Sequence, residues 1–111
     1  MTKCSIRIAD SERTAFLIDT PFVEGYIIGR SDENAQYVPD IDLAPYDSRE
    51  KGVSRRHAAL VNYHGQPHII DLFSVNGTYL DGHRLPPDQP HPLGRENLLR
   101  LGMLDVIITV S

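Results

Sequence analysis

No helix of useful length can run through this sequence. Eight glycines and eight prolines are spread over its 111 residues, and they interrupt any apolar pattern before a 3.6-residue stripe is established. What survives between them is alternation. Ile6 and Ile8 flank Arg7, Phe16 and Ile18 share one parity, Ile70 and Leu72 bracket Asp71, and Val106, Ile108 and Val110 occupy every second position. Period-2 runs rich in β-branched and aromatic side chains are the mark of half-buried strands. Ala58 to Tyr63 is apolar on both parities, which places it nearer the centre of a sheet. Asp81-Gly82, inside Tyr79-Leu-Asp-Gly-His-Arg-Leu85, predicts a tight hairpin, because both residues tolerate the positive φ angles such a turn requires. Short strands separated by turns predict an all-β sandwich.

The length is that of one domain, so residues 1–111 are expected to form a single unit with one core and no staples. Cys4 is the only cysteine, which excludes an internal disulfide and fits a reducing compartment. The first residues, Met1-Thr-Lys-Cys-Ser-Ile-Arg, contain no apolar leader segment. No apolar run approaches the ~20 residues of a membrane span. A cytoplasmic protein without membrane partners is the expectation. The net charge of −4 argues against sequence-blind nucleic-acid binding, which needs many cations on one face. Positive charge is nevertheless concentrated: Arg30, Arg49, Lys51, Arg55 and Arg56 all fall within residues 30–56. The same region holds the longest irregular stretch, Ser31 to Val53, which carries Pro39, Pro45 and many acids. A loop of that length in a small domain is functional or an insertion.

Ser54, His57 and Asp71 include the residue types of a hydrolase triad. No Gly-x-Ser-x-Gly elbow surrounds the serine, however, and three-residue spacing at a strand start predicts that Ser54 and His57 point to opposite faces. An enzyme is not expected. His64, His68, His83 and His91 form no ligand-spaced set, and one cysteine cannot complete a structural zinc site. Neither a P-loop nor a dinucleotide fingerprint is present, so the expectation is no metal and no cofactor.

Three stretches remain: Gly29-Arg30 closing the run Tyr26-Ile-Ile28, then Ser54-Arg-Arg-His57, then Asp71-Leu-Phe-Ser-Val-Asn-Gly-Thr78. In this order and spacing they resemble the forkhead-associated (FHA) domain, from about Ile6 to Val110. The resemblance implies an eleven-stranded, mostly antiparallel β-sandwich whose loops at one end bind phosphothreonine peptides. It implies that Arg30, Ser54 and Arg55 hold the phosphate and that Asn76 binds the peptide backbone. His57 would brace the loops by hydrogen bonds. Gly29 and Gly77 would supply backbone freedom, and the Thr78 hydroxyl would secure its turn. Arg56 is expected on a solvated face. The chemistry suits the task, since a phosphothreonine offers ~1.5 to 2 negative charges and three acceptor oxygens to fixed donors.

Departures from the family are visible as well. Val75 stands where many members place a threonine that touches phosphate, so a hydrogen bond of roughly 1.5–3 kcal/mol to a charged group is lost, and Arg55 could compensate. Leu93 to Gly102 replaces the common Leu-x-x-Gly-Asp pattern, read here as a local structural change. The expected partner is a phosphothreonine-containing protein or peptide in Ser/Thr-kinase-linked signalling or scaffolding, with this chain as part of a larger multidomain protein. The alternative is a phosphate-independent assembly module on the same fold.

Overall fold

The computed structural model describes residues 3–19, 25–34 and 36–111. The alternating segments pair as eleven strands: β1 (Lys3–Ile8), β2 (Phe16–Asp19), β3 (Tyr26–Gly29), β4 (Ile41–Asp42), β5 (Arg56–Tyr63), β6 (Gln66–Asp71), β7 (Thr78–Leu80), β8 (His83–Arg84), β9 (His91–Pro92), β10 (Glu96–Leu101) and β11 (Leu104–Val110). They form a six-stranded sheet, β2-β1-β11-β10-β7-β8, and a five-stranded sheet, β4-β3-β5-β6-β9. Among the described residues, only β3 and β4 run parallel; every other pair is antiparallel. The expected sandwich is therefore present.

Its core is built from both sheets. Ile6, Leu99, Leu101, Val106 and Ile108 from the larger meet Ile28, Ala58, Leu60 and Ile69 from the smaller. Full burial of each large aliphatic side chain contributes about 1.5–3 kcal/mol. Ala58 and Leu60 lie in a strand flanked on both sides, as an apolar run without clear parity implies. The Asp81-Gly82 turn joins β7 to β8 with φ of 49° and 88°, so both residues take the left-handed conformation of a two-residue hairpin.

Two expectations change. In β6 the buried positions are His68, Ile69 and Asp71, while Ile70, and Leu72 just after the strand, are only half-buried. A carboxylate can occupy an interior position when its oxygens are satisfied; Asp71 accepts from Thr78 Oγ1 at 2.6 Å and Ser74 Oγ at 2.5 Å. The long stretch from Ser31 to Val53 is also more ordered than its composition suggests. It contains β4 and a single 3-10 turn at Ala44–Tyr46, and it buries Ile41, Leu43 and Val53. Residue 35 of that stretch lies outside the described residues.

The altered segment before β11 has a compact explanation. Strict alternation along β10 places Asn97 inside with Leu99 and Leu101. Its amide donates to the carbonyls of Gly94 and Ile108 and accepts from the Gly94 N–H, so Asn97 clasps the entry to β10.

Neighbouring leucines test the assigned faces. Leu99 is fully buried, whereas Leu98 is 42% exposed. Leu99→Ala is expected to cost about 2–5 kcal/mol in urea unfolding, and Leu98→Ala within about 0.5 kcal/mol. Equal losses would contradict this packing.

Candidate functional site

The site begins with a close backbone approach. Where β3 ends, its register with β5 slips: Ile28 faces Ala58, but Gly29 faces Arg56, leaving His57 as the extra residue of a bulge. A Cβ on Gly29 would lie 1.8 Å from the Arg55 carbonyl oxygen. The φ of Gly29 is not left-handed, so glycine serves here by leaving room rather than by freeing the backbone. With the two strands this close, the Arg30 N–H donates to Arg55 O at 3.2 Å.

The two arginines then converge through their side chains. Arg30 Nε donates to Val53 O at 2.6 Å, and its Nη1 donates to Asp32 Oδ1. Arg55 Nε donates to Asp32 Oδ2 at 2.5 Å. One carboxylate thus bridges both guanidiniums. Partial burial pushes the Asp32 carboxyl up, but the Arg55 hydrogen bond and the charges of Arg30, Arg55 and Arg49 outweigh it and hold the group below the ordinary carboxylate value. Arg30 and Asp32 side chains are 18% exposed and Arg55 is 63% exposed, so Arg30 is set in the wall while Arg55 lies largely in solvent. Arg30, Ser31, Asp32, Ser48, Arg49 and Arg55 line an open concavity of about 660 Å³. A second concavity of about 710 Å³ touches Gly52 and Asn76 but neither Arg30 nor Arg55.

Behind the arginines lies a buried imidazole. Ser54 N–H donates to His57 Nδ1 at 3.0 Å, which requires Nδ1 to be an unprotonated acceptor. Nε2 therefore carries the proton and donates to Gly77 O at 2.8 Å. Burial pushes the His57 pKa down, against the opposing pull of the Gly77 carbonyl and the Asp71 charge. The Ser54 hydroxyl takes a different partner: its Oγ accepts from Val75 N–H at 3.2 Å. Ser54 precedes β5 rather than standing within it, so the expectation of opposite faces gives way to a backbone-to-ring contact. The triad geometry is not assembled, because the serine hydroxyl bonds Val75 and the Asp71 carboxylate bonds Ser74 and Thr78.

The loop from Leu72 to Gly77 is fixed from both ends. Asp71 holds its start through Ser74 and its end through Thr78. Asn76 Nδ2 donates to Gly52 O at 3.0 Å and lies 2.5 Å from where a Cβ on Gly52 would stand, so this loop closes directly over a glycine with φ of 78°. Gly77 itself has φ of 88°, and its carbonyl also accepts from Gly102 N–H at 3.0 Å. Val75 is 83% exposed and offers the site no side-chain donor.

The FHA domain family matches residues 26–102. The chain belongs to the FHA domain family. It is similar to the probable E3 ubiquitin-protein ligase dma1 of Schizosaccharomyces pombe, with 35% identity over 65 residues, or 55% of this chain and 24% of that protein. The alignment thus spans about a quarter of that relative's length. Among solved structures, one from a structural and functional study of phosphothreonine-dependent FHA domain interactions superposes with a TM-score of 0.70 at 24% identity, covering 96% of this chain and 95% of the other. The N-terminal FHA domain of Rad53p from S. cerevisiae, in complex with a phosphothreonine peptide, gives 0.72 at 16% identity over 97% and 93%. These likenesses concern the fold. FHA domains as a family are non-catalytic interaction modules, known for binding phosphothreonine peptides.

Within this FHA domain, Arg30 and Arg55 line one concavity and Asn76 another, and Ser54 lines neither. Arg30 and Arg55 share Asp32, Ser54 follows the carbonyl that Arg30 grips, and Asn76 reaches the same segment through Gly52. No hydrogen bond joins the Ser54 hydroxyl to either arginine among the described residues. Thr78 secures Asp71 rather than the neighbouring turn alone, and Arg56 is exposed, as expected. Sequence reasoning missed Asp32, Gly52 and the organising role of Asp71. An acid two residues after an arginine, as in Gly-Arg-Ser-Asp, was an available signal of a charge pair.

The neutral state demanded of His57 makes stability depend on pH. The unfolded ring binds a proton near its ordinary value of about 6.5, while the native ring resists it. This contribution is complete above that value and is lost as pH falls toward the depressed native pKa, with a slope of up to about 1.4 kcal/mol per pH unit. The urea midpoint should drop between pH 7.5 and 5.5. His57→Gln should be less stable at pH 7.5 and should lose this component of the slope. An unchanged slope in the variant would assign the effect elsewhere.

Proposed function

We propose that this chain is a phosphothreonine-peptide recognition module in Ser/Thr-kinase-linked signalling or scaffolding. Residues 1–111 act as one unit of a larger, cytoplasmic, multidomain protein. No helix among the described residues is long and apolar enough to cross a membrane, and the reading includes neither membrane nor nucleic-acid partners. Nor does it include catalysis, a metal or a cofactor.

The observation that supports the reading best is the convergence of Arg30 and Arg55 on a single carboxylate. An anion seat with two guanidinium donors is the arrangement a phosphoryl group requires, and a rigid frame limits the ordering cost of binding. In this reading Arg30, Ser54 and Arg55 hold the phosphate. The Ser54 N–H is engaged by His57, so its contribution comes from the hydroxyl, whose oxygen is already oriented by Val75 N–H. Asn76 takes the peptide backbone with the polar capacity that Gly52 leaves unused. Gly29, His57, Gly77 and Thr78 keep the loops in place.

Arg30→Ala should weaken a phosphothreonine peptide selected from an oriented library by about 2–5 kcal/mol in calorimetry, the range for removing one partner of a desolvated charge pair. Unchanged affinity would remove Arg30 as the anchor. Equal affinity of the parent for phosphorylated and unphosphorylated copies would favour the phosphate-independent assembly reading. Replacing phosphothreonine by phosphoserine should cost on the order of 1–3 kcal/mol, the value of one methyl in a small apolar pocket. Indistinguishable binding of the two peptides would show that no such pocket operates.

A further inference from the structure

The phosphate reading leaves one residue of the site without a role. Asp32 places its carboxylate between the two arginines assigned to phosphate, accepting from Arg30 Nη1 and from Arg55 Nε. Its position is anchored from the neighbouring residue. Ser31 donates to Asp42 through its N–H at 2.9 Å and its hydroxyl at 2.6 Å, and Asp42 accepts from Ala44 N–H at 3.0 Å as well. Partial burial pushes the Asp42 carboxyl up, yet the hydrogen bonds from Ser31 and Ala44 prevail and keep it below its ordinary value. The clamp therefore stays ionised and closed around neutral pH. Glu33 and Glu50 stand on the rim of the same concavity, and Arg49 lies on its wall.

We propose that Asp32 is an internal competitor for the anion seat and thereby a specificity-determining residue, yielding to a phosphate dianion and excluding carboxylates. The proposal rests on the phosphothreonine reading of this site. The three groups in direct contact carry a single net positive charge, while the wider lining adds Arg49 and the acids Glu33, Asp47 and Glu50. A glutamate or aspartate side chain from a partner would exchange one monoanion for another and gain nothing in charge. It would also compete against a carboxylate tethered in place, whose effective concentration is about millimolar or higher. A phosphate dianion differs on both counts. It brings a second charge and a third acceptor oxygen, enough to fill Arg30 and Arg55 together and still accept from Ser54. Arg55 is largely exposed, so its guanidinium is accessible to the ligand without leaving the seat. Displacing Asp32 leaves a carboxylate close to the bound phosphate, so the wild-type site binds more weakly than its donors alone would allow. That loss is the cost of rejecting unphosphorylated acidic sequences.

The test compares the parent with Asp32→Asn, which keeps the side-chain volume and removes the charge. Asp32→Ser serves as a second variant, and thermal unfolding establishes that both fold. Each protein is titrated calorimetrically with the tightest phosphothreonine peptide from an oriented library and with the same peptide carrying glutamate at that position. Both variants should bind the phosphopeptide about three- to thirty-fold more tightly than the parent, because the seat is no longer occupied. The glutamate peptide should gain by a comparable factor and so rise to detectable binding, because one tethered occupant of the seat penalises every competing anion alike. Unchanged or weaker phosphopeptide binding by folded variants, with the parent still binding, would overturn the competitor while leaving the phosphothreonine reading intact. A glutamate peptide that stays undetectable on variants that bind the phosphopeptide more tightly would overturn the role of Asp32 in excluding carboxylates. Failure of all three proteins to bind any phosphopeptide would overturn the phosphothreonine reading, and the present inference with it.

Discussion

A neutral imidazole sealed between two loops is the contact on which the loop end of this sandwich depends. His57 can satisfy Ser54 N–H and Gly77 O together only in one tautomer, with Nδ1 accepting and Nε2 donating. Full burial favours that uncharged state. The consequence reaches well beyond one ring. Gly77 belongs to the loop that carries Asn76, and Ser54 to the segment that carries Arg55, so the ring fixes their spacing. The Gly77 carbonyl also receives Gly102 N–H, which ties in the β10–β11 turn. The bulge in β5 makes this possible: with an extra residue opposite β3, His57 and Ala58 are both buried although they are consecutive.

Asp71 complements this arrangement with a charge where His57 has none. A buried carboxylate is tolerated because Ser74 and Thr78 hydroxyls supply short hydrogen bonds. Those two donors bracket the loop that lies between them, so one side chain determines both its entry and its exit. The loop end is thus held by buried polar groups as well as by the apolar packing of Val53. Such groups are directional, and they define loop geometry more narrowly than aliphatic contacts can. The loop is left free to present Phe73 and Val75 to solvent, at 70% and 83% exposure.

The charge distribution follows a similar division. The chain is acidic as a whole, with 15 acidic and 11 basic residues, yet Arg30, Arg49 and Arg55 share one concavity. Asp32, Glu33, Asp47 and Glu50 line it as well, so its acids outnumber its three arginines. Attraction at the paired guanidiniums and repulsion around them accord with the proposed reading of this site.

Much of this was legible in the chain itself. Strands β1, β2 and β11 followed from period-2 alternation, whereas β4, β9 and β10 were not legible. The Asp81-Gly82 turn followed from its demand for positive φ, a local property of neighbouring residues. The motif residues Arg30, Ser54, Arg55, His57 and Asn76 were likewise recognisable by type and order. What alternation could not foresee was the parity of β6, where hydrogen bonds from residues further along the chain let Asp71 displace Ile70 and Leu72 from the interior positions. Gly29 looked like a position for backbone freedom, but its role is to admit the Arg55 carbonyl, a neighbour brought there only by the pairing of β3 with β5. The seat of Asp32 between two arginines is of the same kind. Sequence determined which groups were available and how strands such as β1 and β11 would face. Tertiary structure decided which of them meet, because hydrogen bonds and ion pairs act over a few ångströms and residues far apart in the chain come that close only after the sheets have closed.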